Sequence, residues 1–368
     1  MPTKMPTPLA ARIVLVLLGA IAGLGVTEVA LRALATRGTA NDLRGLHEPR
    51  PDRPWLYGLR PGVEGQLSVS GSVRYRINTD GFRDRLYQRP KPPGTFRIVV
   101  LGDSITFGYG VEVRDTFPKL LEAQLAELAP DQKFEVLSLG VNGYNPYNEA
   151  ALFADIGVTY EPDLVLVQFC INDLNDPTLH FDAQTRLDVG MLPDGAFPDP
   201  AQRPQASPPS PALRLCRRLR ICSLVNDAVL AWTATPRDAE TTRRALAPND
   251  GRGNGPEWNW LAARYGEIAR RAASLGAPVI VLAFPYRDQL DPNPTRRVED
   301  RLVDIGEAGG WTTIDLLPAF RRTDGSEPLF LDVWHPNAAG HRVAAKAILD
   351  QLRCRKLLPL PTDAACVP

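Results

Sequence analysis

The sequence predicts an α/β fold, a three-layer α/β/α sandwich on a five-stranded parallel sheet. Five short runs of aliphatic and β-branched residues recur along the chain, and stretches of helical periodicity separate them. Glycine and small polar residues gather just beyond the ends of four of those runs.

Taken in order, residues 97–101 (Arg97-Ile98-Val99-Val100-Leu101) stop at Gly102, the pattern of a strand buried on both faces. Asp115 or Thr116 can cap a helix in which Phe117, Leu120, Leu121 and Leu125 share a face. Residues 134–139 form a second strand, 148–156 a second helix and 164–169 a third strand. Alternation stops at 177–255, a proline-rich, basic insertion of the kind that serves as a lid or binding segment. It resumes with a helix at 257–275, a strand at 278–284, a helix at 296–308, a strand at 311–316 and a last helix at 338–352. Strand–helix–strand units of this kind take right-handed crossovers.

The flanks differ in character. Residues 13–26 are uncharged and almost wholly apolar, and the run extends to Leu34, about 22 residues, enough to span a hydrocarbon layer of roughly 30 Å. Residues 1–36 are therefore expected to be a transmembrane signal anchor or, with cleavage near Ala33-Leu34-Ala35, a signal peptide. Either places the rest of the chain outside the cytoplasmic membrane, in the periplasm or beyond. Residues 37–95 are a linker leading to a hairpin, with alternation at 70–77 and a turn at Asn78-Thr79-Asp80-Gly81. Residues 96–353 form the main domain and 354–368 a tail.

Lys plus Arg and Asp plus Glu both number 42, so the formal net charge is zero, and no basic block interleaved with aromatics points to nucleic acid. Five cysteines are an odd number, and no Cys/His cluster has metal-ligand spacing. No metal or cofactor is implied.

Ligands collect beyond the carboxyl ends of parallel strands. Ser104 follows the first strand, Gly140-Val141-Asn142-Gly143 the second, Asn172-Asp173 the third, and Asp332-Val333-Trp334-His335 lies after the fifth. A serine hydroxyl needs an adjacent base to act as nucleophile. His335 is the natural base, and Asp332, three residues before it, can hold the other ring N–H.

Gly102-Asp103-Ser104, Leu139-Gly140-Val141-Asn142-Gly143, Cys170-Ile171-Asn172-Asp173 and Asp332-Val333-Trp334-His335 together resemble the four blocks of the SGNH/GDSL hydrolase superfamily, in particular its membrane-anchored bacterial members. The resemblance covers about residues 96–353 without the insertion. It implies a flavodoxin-like sheet and a Ser104–His335–Asp332 triad. It also implies an oxyanion hole from the backbone N–H groups of Ser104 and Gly143, with Gly140 the second choice, and the Asn172 amide. Cys170 stands where the family has glycine and reads as a small buried residue. Asp103 is expected to order the nucleophile loop, Asp173 to be structural, and His47, His180 and His341 to be structural or on the surface.

These expectations describe a serine esterase or deacylase that passes through an acyl-enzyme. Its substrate would be an O-acyl ester on a glycan or lipid. An O-acyltransferase with the same triad and a non-catalytic binding module are the alternatives. In the insertion, Arg214, Arg217, Arg218 and Arg220 alternate with Leu213, Leu215, Leu219, Ile221 and Leu224, suiting a cap helix or a lid facing a membrane surface.

Overall fold

In the computed structural model, the described residues are 9–35, 46–50, 52–68, 72–174, 179–181, 188–190, 256–290 and 297–360. The chain divides into two compact units, residues 1–40 with 204–237 and residues 41–203 with 238–368. The described part of the first is a single helix, α1 (Leu9–Ala35). Val14, Leu15, Val16, Leu18, Leu24, Val26 and Val29 on it are exposed. Among the described residues no helix is long and apolar enough to cross a membrane, so the expected span is not carried by them. The side chains of Arg12, Ile13, Leu17 and Ile21 lie outside that description.

The second unit opens with two antiparallel ribbons, β1 (His47–Pro49) with β2 (Tyr57–Leu59) and β3 (Glu64–Ser68) with β4 (Ser72–Arg76). The hairpin expected to turn at 78–81 turns instead between β3 and β4. The alternating run at 72–76 pairs with the strand before it, and Asn78–Gly81 forms a separate turn, in which Asn78 Oδ1 accepts from the N–H groups of Asp80 and Phe82.

The main sheet follows: β5 (Thr95–Leu101), α2 (Ser104–Phe107), α3 (Phe117–Leu128), β6 (Lys133–Ser138), α4 (Pro146–Asp155) and β7 (Leu164–Phe169). After the short β8 (Leu179–Phe181) and β9 (Asp188–Gly190) come α5 (Pro256–Ala273), β10 (Val279–Ala283), α6 (Arg297–Gly309), β11 (Thr312–Asp315), α7 (Leu317–Arg321) and α8 (Ala338–Cys354). The five main strands lie in the order β11-β10-β7-β5-β6, all parallel. In chain order this is 2-1-3-4-5, whose connections reverse direction between β5 and β7, where such sheets open a crevice. The helices form two packed groups, α3 with α8 and α4 with α5 and α6. Ile98, Val99, Val100 and Leu101 in β5 and Leu164 to Val167 in β7 are wholly buried, each large side chain stabilising the fold by roughly 1.5–3 kcal/mol.

Arg97, wholly buried in β5, is neutralised by Glu135 of β6, with Nε to Oε2 at 2.9 Å. The expected cap of α3 differs: the Thr116 side chain makes no cap bond. Instead His341 of α8, 1% exposed, accepts the Phe117 N–H through Nδ1 at 3.1 Å. Helix α3 begins with N–H donors that need an acceptor, and the one for Phe117 comes from 224 residues away in sequence. Cys354 is disulfide-bonded and Cys170 is buried. The basic insertion helix and Cys216, Cys222 and Cys366 lie outside the described residues, as does the His180 side chain.

Candidate active site

Strand β5 delivers Ser104 through a tight turn. Gly102 sits at φ +153°, and a Cβ there would meet Thr106 Oγ1 and Gln168 Oε1 at 2.2 and 2.5 Å, so a side chain has neither the angle nor the room. Asp103, 2% exposed, caps α2 by accepting from Ile105 N–H at 2.9 Å, as expected of it. Ser104 opens α2, where first-turn N–H groups have no acceptor within the helix.

The clamp on this turn is Gln168, a residue that sequence reasoning passed over. It is wholly buried in β7, and its Oε1 accepts from Asp103 N, Thr106 N and Thr106 Oγ1 at 3.1, 3.3 and 3.1 Å. A lone amide in an otherwise apolar strand was the available signal, because a buried polar group must find partners.

The imidazole arrives on a loop that closes on itself. Phe330 and Pro336 form an isolated bridge, and Leu331 N–H donates to His335 O at 2.8 Å. Asn337 anchors the loop to α8 by accepting from Ala339 and Gly340 N–H groups. Within it, Asp332 Oδ1 accepts from the N–H groups of Trp334 and His335 at 2.7 and 2.8 Å. Its Oδ2 lies 2.8 Å from His335 Nδ1, and His335 Nε2 lies 2.8 Å from Ser104 Oγ. Hydroxyl, imidazole and carboxylate thus form one hydrogen-bonded chain.

Partial burial pushes the Asp332 carboxyl up, but bonds from the His335 ring and backbone, the nearby imidazole charge and the Trp334 N–H outweigh it, leaving the group at about 2. An ionised Asp332 only accepts, so Nδ1 must carry the proton and Nε2 is left to accept from the serine hydroxyl. The Tyr109 ring lies against the imidazole, centroids 4.5 Å apart.

The turn after β6 separates the two candidate glycines. A Cβ on Gly140 would strike Phe107 N at 2.4 Å, so that glycine serves close packing against α2. Gly143 takes φ +78° and faces the Tyr57 hydroxyl at 3.2 Å from where a Cβ would be. Asn172 lies in the 3-10 turn Ile171–Leu174 directly after β7; its side chain is outside the described set.

Near Asp103 lie two buried acids. Burial first, then the Asp103 charge, pushes the Asp173 carboxyl well above its ordinary range despite bonds from Cys170 N and Tyr265 Oη. Burial and the charges of Asp173 and Asp103 do the same to Glu149. Among the described residues no group of three His, Cys, Asp or Glu side chains could hold a metal ion. A cavity of about 280 Å³ borders the loops that carry Tyr109 and Asp332, lined by Gly110, Glu112, Leu331, Asn337 and Arg342 among others.

Residues 100–343 match the GDSL-like lipase/acylhydrolase family. No curated protein matches the chain. Among solved structures it is similar to TesA, at 14% identity over 71% of this chain and 99% of that one, with a TM-score of 0.42. It is also similar to LAE5, an α/β hydrolase enzyme from the metagenome of Lake Arreo, Spain, at 20% identity over 70% and 95%, TM-score 0.41. A catalytic mutant of Axe2, an acetylxylan esterase from Geobacillus stearothermophilus, matches at 15% identity over 73% and 97%, TM-score 0.41.

Proposed function

Because this chain belongs to the GDSL-like lipase/acylhydrolase family and is an ester-hydrolysing enzyme, we propose that Ser104, His335 and Asp332 are its catalytic triad. The observation that carries this is the continuous chain of contacts, 2.8 Å from Ser104 Oγ to His335 Nε2 and 2.8 Å from His335 Nδ1 to Asp332.

Ser104 Oγ attacks the ester carbonyl carbon while its proton passes to His335 Nε2. Asp332 holds the ring and stabilises the imidazolium. The tetrahedral oxyanion is met by the N–H groups of Ser104 and Gly143 and the Asn172 amide, one such donor being worth roughly 3–4 kcal/mol. Collapse returns the proton to the leaving alkoxide and leaves an acyl group on Ser104; water, deprotonated by His335, releases the acid and restores the hydroxyl.

The substrate in this reading is an O-acyl ester on a glycan or lipid. Support comes from the openness of the site: the Asp332 and His335 side chains are 44% and 19% exposed, so a bulky alcohol can approach the acyl carbon from solvent. In this reading the domain works outside the cytoplasmic membrane, with residues 1–36 serving as its anchor or as a cleaved signal segment. The apolar run at 13–34 and the disulfide at Cys354 support export, since structural disulfides persist in oxidising compartments.

The test is a panel of esters of graded acyl length, on free alcohols, acetylated oligosaccharides and lipids, with the Ser104→Ala variant as control. Turnover of short acyl esters that vanishes in the variant is the expected result. A variant that hydrolyses the panel as fast as the parent would remove Ser104 from the mechanism.

A further inference from the structure

The family match begins at residue 100, yet the segment before it reaches both sides of the site. Asn78 builds the entry, its Nδ2 donating to the carbonyls of Asp84 and Arg85 while its Oδ1 accepts from Asp80 and Phe82. That turn sends two consecutive side chains in different directions. Asp84 accepts from Ser138 N–H at 2.9 Å, at the end of β6, and from Lys119.

Arg83, 3% exposed, hydrogen-bonds carbonyls rather than a carboxylate. Its Nη1 donates to Phe107 O and Gly108 O at 3.1 and 2.7 Å, and its Nη2 to Val111 O and Arg74 O at 2.8 and 2.9 Å. Three of these carbonyls belong to the last residue of α2 and the turn that follows it. Gly108 and Gly110 take φ +80° and +74° there, with Tyr109 between them lying on the His335 ring. The planar guanidinium fork suits a fixed set of carbonyls in a way that the point charge of a lysine does not.

On the other side, Tyr57, 5% exposed, donates its hydroxyl to Asn142 O at 3.4 Å and stands over the open face of Gly143. Tyr144 returns the contact, donating to Tyr57 O at 2.6 Å, with the two rings edge to face at 5.2 Å. Asn148 of α4 donates to Trp55 O at 3.1 Å.

We propose that the segment preceding the family region is part of the catalytic machinery. Arg83 is a positioning residue that shapes the 107–111 turn seating Tyr109 against His335, and Tyr57 is a positioning residue that holds the turn presenting Gly143. This rests on the triad reading above.

The experiment uses the purified full-length chain with Arg83→Lys, Tyr57→Phe and Ser104→Ala. Active sites are titrated with a fluorophosphonate, and kcat per titrated site and KM are measured on p-nitrophenyl acetate. Misplaced catalytic groups lower kcat, so Arg83→Lys should lose at least about 10-fold per titrated site, with KM kept within about 2-fold. Tyr57→Phe, which deletes one oxygen, should lose about 3- to 10-fold in the same way. A purely structural role would lower the fraction of sites that titrate and leave the rate of each unchanged; that result in either variant overturns its half of the proposal. If Arg83→Lys does not fold, Tyr109→Leu decides that half: full kcat per site overturns it, and a loss with unchanged KM supports it. Turnover surviving in Ser104→Ala would overturn the triad reading itself, whatever the other variants do.

Discussion

The two partners that meet at 2.8 Å are held in opposite ways. Ser104 is placed from inside the fold: a glycine without room for a side chain, an aspartate cap and the wholly buried Gln168 fix the turn from a neighbouring strand. His335 is placed by its own neighbourhood, since Asp332, three residues away, binds its ring and backbone, and the loop closes on itself at Phe330 and Pro336. Ser104, the proposed nucleophile, thus inherits the rigidity of the sheet, while His335, the proposed base, sits on a part-exposed loop. Damage near Ser104 should therefore cost stability and activity together, and damage near His335 should cost activity with little loss of stability.

The largest effects sharpen the second half of that contrast. His335→Ala should lose roughly 10⁴-fold or more in kcat while its thermal unfolding midpoint stays close to the parent's, measured by circular dichroism. Asp332→Asn should lose about 10³–10⁴-fold, because a neutral amide no longer selects the Nδ1–H tautomer. A large fall in melting temperature in either variant would break the comparison, by showing that the loop is part of the core.

Next in size is the loss of a proposed oxyanion donor. Asn172→Ala should lower kcat by about 10²–10³-fold with little change in KM. Unchanged kcat would take Asn172 out of the mechanism and leave its turn after β7 a structural one.

Gln168→Leu probes the first half. It keeps roughly the volume but strips the acceptor from the Asp103 and Thr106 N–H groups, each unpaired group costing roughly 1–3 kcal/mol, while the Thr106 hydroxyl keeps Leu101 O. Both the denaturant midpoint and kcat should fall. A variant as stable as the parent would show that the nucleophile turn stands without its clamp.

A smaller, pH-dependent effect comes from His341. Burial first, then the charges of Arg83 and His335, lowers its pKa from 6.5 to about 3. The unfolded chain binds a proton there before the folded one does. Its stabilising contribution is therefore complete above about pH 6.5 and drains away as pH falls toward 3. Replacing it by glutamine, which can still accept the Phe117 N–H, should shift acid unfolding to lower pH in circular dichroism titrations. An unchanged acid midpoint would show that other groups control it.

How much of this could be read in the chain follows the same division. The strands were legible because burial on both faces leaves near-continuous aliphatic runs, and the Asp332–His335 pair because its geometry is local. The Asp103 cap was legible for the same reason. What sequence did not disclose was contact at long range. Gln168 looked like one more strand residue, and Arg83 and Tyr57 sit in a stretch that reads as linker. His341 caps a helix that its own sequence neighbours do not name. The hairpin turn was misplaced because Asn78–Gly81 carries real turn chemistry, which the fold spends on delivering Arg83 and Asp84 rather than on reversing a strand.

The most direct measurement of the central claim is rapid quenching of the full-length enzyme with p-nitrophenyl acetate, followed by intact mass and peptide mapping. One acetyl group per chain, on Ser104, and its build-up in an Asn172→Ala background no faster than in the parent, is the predicted result. Steady turnover with the acetyl group on another residue, or with none trapped on Ser104 at any quench time under burst conditions, would contradict it.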